Sequence, residues 1–246
     1  MEHDLTGPDA LARMDVLAEA WRETSDGRGT FLACYRLMTG SMISAVVERD
    51  FDDPAWVDLL LVRFAEYYFD ALAAYEHDPS AAPAAWQLAH DSCREHRWEL
   101  QRLLLGINAH INVDLPLTVE ELLAPEWEGL SAAQREARRR DYLAVNGIIA
   151  ATVDAVQDTV LEPAVPILAL ADVLLGPAEE FLMSRMLEQW RESAWENAVT
   201  LVEAPDAATR GAVVARMEAD ALAIARAILF TDGAASVLDL FRREDQ

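Results

Sequence analysis

Apolar residues recur at intervals of three and four along nearly the whole chain, the repeat of a helix that buries one face. No alternating run of useful strand length occurs outside the segment 103–116, and no Asn-Gly or Asp-Gly turn stands between β-branched runs, so β-hairpins are not expected. A first helix is expected over Pro8 to Glu23 and a short second one over Ser41 to Arg49. In "DDPAWVDLLLVRFAEYYFDALAAYE" Asp53 is placed to cap a third helix with Pro54 in its first turn, and Trp56, Leu60, Phe64, Tyr67, Ala71 and Tyr75 form its inward stripe. A fourth is expected from Ala84 through Leu105, and a long fifth from Ser131 to Leu161, ended by Pro163 and Pro166. Pro177 to Val202, Pro205 to Phe230 and Ala234 to Arg243 complete the set. The tract Leu115 to Leu130, with Pro116, Pro125 and Gly129, reads as an irregular connection, either a lid over a pocket or a packed connector. With no repeat and no low-complexity linker, the pattern predicts one all-α domain over 1–246, an irregular bundle of about eight to ten helices.

Composition narrows the function. A chain of 246 residues that is 52% hydrophobic can bury a sizeable core unaided. Apolar stretches such as Pro163 to Gly176 are short and interrupted, and the opening "MEHDLTGPDALARMD" is acidic, so a soluble cytoplasmic protein is expected, without a membrane partner. A net charge of −23 repels phosphate backbones and argues against nucleic acid. All 20 basic residues are arginine, which removes lysine Schiff bases, a pyridoxal phosphate anchor and the P-loop lysine from consideration. The arginine and alanine usage fits a GC-rich, actinobacterial coding genome. Cys34 and Cys93 lack metal spacing and are expected as free thiols, buried or nearly so.

The segment "LLLGINAHINVDLP" at Leu103 to Pro116 carries the densest polar signal in an apolar setting. As a strand it would put Asn108, His110, Asn112 and Asp114 on one face, but without a partner strand. As a helix, at about 100° per residue, it makes two i,i+4 pairs, His110 with Asp114 and Asn108 with Asn112, and ends at Leu115 before Pro116. An Asp one turn from a His can accept the Nδ1–H, fix the tautomer and leave the other nitrogen for acid–base work or for a metal. The bland alternative is a core histidine satisfied by its aspartate. Burying four hydrogen-bonding side chains within seven residues costs several kcal/mol unless each finds partners, and a pocket would account for that. Gly106 would let a helix or a ligand approach closely.

"GINAHINVDLP", with "RFAEYYFDAL" upstream and "RESAWENAVTL" downstream, resembles a DUF5995-like family of uncharacterised helical proteins from bacteria and fungi. The similarity runs roughly from Met38 to Leu201. It implies a shared single helical domain and draws attention to Asn108, His110 and Asp114; it carries no reaction with it.

Other polar residues fall on apolar faces. Arg63 has Glu66 one turn away and needs a carboxylate or a ligand anion if buried. Asn146 and Asp154 lie on nearly one side of the long helix, where Asp154 alternatively begins a solvated stripe with Asp158. Arg191 and Trp195 are spaced for a cation–π pair, or Arg191 could hold a carboxylate or phosphate. The run Arg138 to Arg140 reads as a solvated face. "DFDDP" at Asp50 to Pro54 faintly matches an acidic magnesium motif, with a helix cap the better account. His77, His90, Asp91 and Asp154 loosely follow the order of metal phosphohydrolase ligands, but no HExxH, paired ExxH or glycine-rich phosphate loop is present.

Three functions fit. The first is a cofactor-independent enzyme of specialised metabolism, of cyclase, isomerase or lyase type, acting on a hydrophobic small molecule. There His110 is acid or base, Asp114 its orienter, and Asn108 and Asn112 are oxyanion donors. Asn112, Arg63, Tyr67, Asn146, Asp154, Arg191 and Trp195 would contact substrate, Tyr67, Trp86 or Trp195 serving as walls; a homodimer is compatible with this reading. The second is a metal-dependent hydrolase or phosphatase using His90, Asp91, His110 and Asp114. The third is a non-catalytic binding or scaffold protein.

Overall fold

The computed structural model describes residues 5–48, 51–95, 97–156 and 178–230, without the side chains of 153–156 and 178–183. Among the described residues every regular element is helical and no strand is present. The order is α1 (Gly7–Thr24), α2 (Gly29–Glu48), α3 (Pro54–His77), a 3₁₀ turn (Pro79–Ala81), α4 (Ala84–Ser92), α5 (Glu99–Ala109), a π-helical turn (His110–Asp114), α6 (Leu115–Leu123), a second 3₁₀ turn (Trp127–Gly129), α7 (Ala132–Val156), α8 (Ala178–Val202) and α9 (Ala207–Leu229). The chain is thus an all-α fold. The expected proline break at Pro163 and the closing helix over 234–243 lie outside the described residues.

The N-terminal caps follow from local chemistry. Thr6 and Asp9 form a reciprocal capping box at α1, satisfying donors that a helix start leaves free. Asp53 Oδ1 accepts from the Trp56 amide, and Pro54 opens α3. The carboxylate of buried Asp141, reaching across from α7, accepts from the amides of Asp52 and Asp53 at 2.7 and 2.8 Å. Arg138 then binds Asp53 and Glu126, Arg139 binds Glu192, and Arg140 binds Asp52. The basic run expected as a solvated face is therefore a clasp from α7 to the start of α3, to the segment after α6, and to α8. It also consumes Asp52 and Asp53 of the acidic "DFDDP" stretch.

Three boundaries differ from expectation. Helix α2 begins at Gly29 rather than Ser41, because its first half is apolar on adjoining faces, with Phe31, Leu32, Cys34 and Tyr35 all buried. It is long and apolar enough, by length and composition, to cross a membrane; its buried residues pack here against α1, α3, α5 and α7. The helix expected over Ala84–Leu105 is divided by the irregular stretch after Ser92 into α4 and α5. The helix does not end at Pro116, since α5 passes through the π-helical turn directly into α6. In an α ladder Pro116 would lack a donor and its ring would meet the carbonyl four residues back. Shifting one step to i→i+5 bonding, Leu115 N–H to His110 O, lets the rod continue past it. The first nine residues of the tract, Leu115–Leu123, are consequently helix, packed along α8.

The π-helical turn sits at the centre of the bundle, in contact with α3, α8 and α9 besides its own flanking helices. Close packing there depends on Gly106: a Cβ built on it would stand 2.7 Å from Phe31 Cγ and Cδ2, well inside contact distance. Gly106→Ala is accordingly expected to destabilise the protein by about 1–3 kcal/mol through overpacking, read as a lower midpoint in urea unfolding at unchanged m-value.

Candidate functional site

The π-helical turn presents a buried polar pair. His110 and Asp114 are 3% and 2% exposed, and His110 Nδ1 lies 2.9 Å from Asp114 Oδ2. Trp86 Nε1, from α4, donates to the same carboxylate, at 3.0 Å to Oδ2 and 3.2 Å to Oδ1. An acceptor-only carboxylate facing Nδ1 places the ring proton there, so the lone pair lies on Nε2. That nitrogen is buried and meets no hydrogen-bond partner among the described residues. Burial pushes His110 down and Asp114 up, and the hydrogen bond joining them opposes each shift; the imidazole is held neutral.

Aromatic rings enclose the imidazole. Phe64 stacks on it at 3.5 Å between centroids and 7° between planes. Tyr35 meets it edge-on at 4.5 Å and Phe31 at 5.8 Å, with Tyr68 and Trp86 at 6.1 Å. The Tyr35 hydroxyl is also buried, and so is that of Thr39, its neighbour one turn further along α2. Burial, then the charge of Asp114, pushes the Tyr35 phenol well above its ordinary range. The site is therefore an oriented neutral base packed among aromatic rings, with two buried hydroxyls on the adjoining helix.

The asparagine pair serves a different neighbour. Asn108 donates to the Ala221 carbonyl on α9 at 2.9 Å and accepts from Asn112 Nδ2 at 2.9 Å. Both are engaged in tying the turn to α9, so the oxyanion role expected of them is replaced by a structural one. Arg63 is half-buried and bonded to Glu66 and Glu121, and Tyr67 donates to Glu121. These residues form a rim network; the rings facing His110 from α3 are Phe64 and Tyr68, not the expected Tyr67. Arg191 lies over Tyr142, at 4.5 Å, in place of the expected Trp195. It binds Asn146 Oδ1, and Trp195 itself packs against Tyr142. The side chain of Asp154 lies outside the described residues.

The residues considered for a metal do not converge. Asp91 accepts from Tyr75, His90 stacks on Trp86, and Asp114 is bound by His110 and Trp86. Among the described residues no three His, Cys, Asp or Glu side chains cluster in a metal-holding arrangement. Cys34 and Cys93 are free, and burial raises them to about 12 and about 11.

Phe31, Tyr35, Thr39, Phe64 and Tyr68 were not singled out as site residues from sequence. Tyr35 and Thr39 belong to the half of α2 that was not expected to be helical. Once Gly29–Glu48 is one helix, Phe31, Tyr35 and Thr39 fall at i, i+4 and i+8 on one face, which is the signal that would have found them.

Residues 8–231 match the model of the Family of unknown function (DUF5995). The chain belongs to that family. No curated protein and no solved structure matches it. The geometry of this DUF5995 chain is therefore its own evidence for chemistry.

His90 provides a titration internal to the same cluster. Its ring stacks on Trp86 at 5.2 Å, its Nε2 is buried and unpaired among the described residues, and burial with the charge of Arg28 lowers it from 6.5 to about 4. The unfolded chain binds a proton near pH 6.5 that the folded DUF5995 chain resists until about pH 4. This contribution is complete above pH 6.5 and is lost as pH falls toward 4, by roughly 3 kcal/mol. Replacing His90 with Phe is expected to flatten the fall of unfolding free energy across that window, measured by urea titration at each pH.

Proposed function

We propose that the protein is a small-molecule enzyme acting on a hydrophobic substrate by proton transfer, with His110 as base and then acid. The observation that supports this most strongly is the unpartnered Nε2 of His110, on a ring whose other nitrogen is fixed by Asp114 and Trp86. An acceptor left unpaired in the interior costs about 1–3 kcal/mol, an expense that a purely structural histidine can avoid. Orientation by a buried carboxylate, which also stabilises the imidazolium formed after proton capture, is the arrangement general bases use. Asp114 and Trp86 are positioning residues, and Phe31, Phe64 and Tyr68 form an apolar surround suited to a nonpolar substrate. Isomerase, lyase or cyclase chemistry agrees with a base that has no nucleophile beside it. Specialised metabolism, a cytoplasmic location and the absence of nucleic-acid or membrane partners belong to the same proposal.

The depth of burial favours a second reading, a non-catalytic binding or scaffold protein in which the pair specifies core packing. Deuterium exchange separates the two. Untagged protein in D2O is incubated with hydrophobic enolisable ketones and polyenes, and label uptake is followed by mass spectrometry. Wild type is expected to label at least one member, with His110→Gln slower by about 10²- to 10⁴-fold and Asp114→Asn also impaired. Equal labelling by a folded His110→Gln protein would sink the catalytic proposal. A loss of thermal stability as the sole effect of His110→Ala would support the scaffold.

A further inference from the structure

Arg191 is an anomaly in a chain with 43 acidic and 20 basic residues. It is 4% exposed and the one arginine among the buried residues described, yet it has no ion pair with any described carboxylate. Its partners are neutral: Nε donates to Asn146 Oδ1 at 2.7 Å and Nη2 to the Tyr142 carbonyl at 2.8 Å. The guanidinium lies 4.5 Å from the centre of the Tyr142 ring. Tyr142 returns a bond from its hydroxyl to the Arg191 carbonyl at 2.6 Å. The nearest carboxylate in sequence, Glu192, is bonded to Arg139.

A guanidinium buried without a counter-charge loses hydration worth several kcal/mol, and a ring face with two neutral acceptors returns only part of it. Shortage of acids cannot be the cause in this chain. What the arrangement does accomplish is orientation. Asn146 fixes the Nε side, Tyr142 supports the plane, and Nη1 makes no hydrogen bond among the described residues. A planar fork held in this way matches the two oxygens of a carboxylate or phosphate.

We infer that Arg191, held between α7 and α8 by Asn146 and Tyr142, is the recognition residue of a binding site for a small organic anion. The ligand's carboxylate or phosphate supplies the counter-charge that no described carboxylate provides. The proposal stands apart from proton transfer at His110 and survives or fails without it.

Octanoate, octyl phosphate, inorganic phosphate and uncharged octanol are titrated into full-length protein while melting temperature and the ¹⁵Nε–¹H resonance of Arg191 are followed. An anion at a hundredfold excess over its Kd is expected to raise the melting temperature by roughly 5–10 °C, shift the Arg191 resonance saturably, and leave octanol without effect. Octanoate alone active names a carboxylate site; octyl phosphate or inorganic phosphate alone names a phosphate site. Arg191→Gln should abolish both responses, and Arg140→Gln, at an exposed ion pair, should retain them. Asn146→Ala, which keeps the charge but frees the fork, should weaken binding by about tenfold. The proposal is overturned if no anion shifts the wild-type Arg191 resonance, or if folded Arg191→Gln protein keeps the thermal response.

Discussion

The carboxylate of Asp114 is the point on which the interior depends. It is a charge-bearing group at the centre of a helical bundle, and its acceptors are met by one ring from its own turn and one from α4. Charge-assisted bonds to a carboxylate are about twice as strong as neutral ones, but only at good geometry. Each donor must therefore be held by packing, and the aromatic rings around it do that work. Trp86 is clasped between His90 on one side and Phe31 and Tyr68 on others, while Phe64 lies flat on His110. Loss of either donor would leave a carboxylate with part of its hydration replaced by hydrocarbon.

The π-helical turn is what allows this pairing beside Asn108 and Asn112. Widening the coil at His110–Asp114 carries the chain past Pro116 without breaking it. The same stretch then serves two sides of the bundle: the His–Asp pair meets α2, α3 and α4, while the asparagines grip α9. Gly106, one turn earlier, admits Phe31 against the backbone. These features are mutually dependent, since Phe31 touches His110, Trp86 and Tyr68 together.

Much of the fold was legible because three- and four-residue periodicity reports helices whatever their order in space. Caps such as Asp53 with Pro54 were legible too, being determined by the chain within a few residues. The His110–Asp114 contact could be anticipated from i,i+4 spacing because it lies within one turn. Tyr68 in place of Tyr67, and Tyr142 in place of Trp195 beside Arg191, could not. Adjacent aromatics such as Tyr67 and Tyr68 differ by a rotation of about 100° on a helix, and which one faces inward depends on how a neighbouring helix approaches; Tyr142 and Trp195 lie on different helices, α7 and α8, whose docking decides which ring meets Arg191. Helix α2 was shortened for a related reason: a segment buried on several faces loses the contrast on which periodicity relies. The arginine run of α7 was misjudged because its partners, Asp52, Asp53, Glu126 and Glu192, are distant in sequence or on another helix.

The two buried polar centres are of different physical kinds. In the first, burial pushes His110 down and Asp114 up, and the hydrogen bond that joins them opposes both shifts. Its polarity is internally balanced, apart from a single lone pair. In the second, Arg191 is lowered by burial but starts so high that its charge remains through the physiological range,. An oriented base in an aromatic surround treats uncharged nonpolar molecules as natural company, whereas an unbalanced guanidinium does not. A fold with more than two acids per arginine nevertheless sends Glu192 to Arg139 and gives Arg191 no ion pair with a described carboxylate. That asymmetry follows from placement rather than from composition.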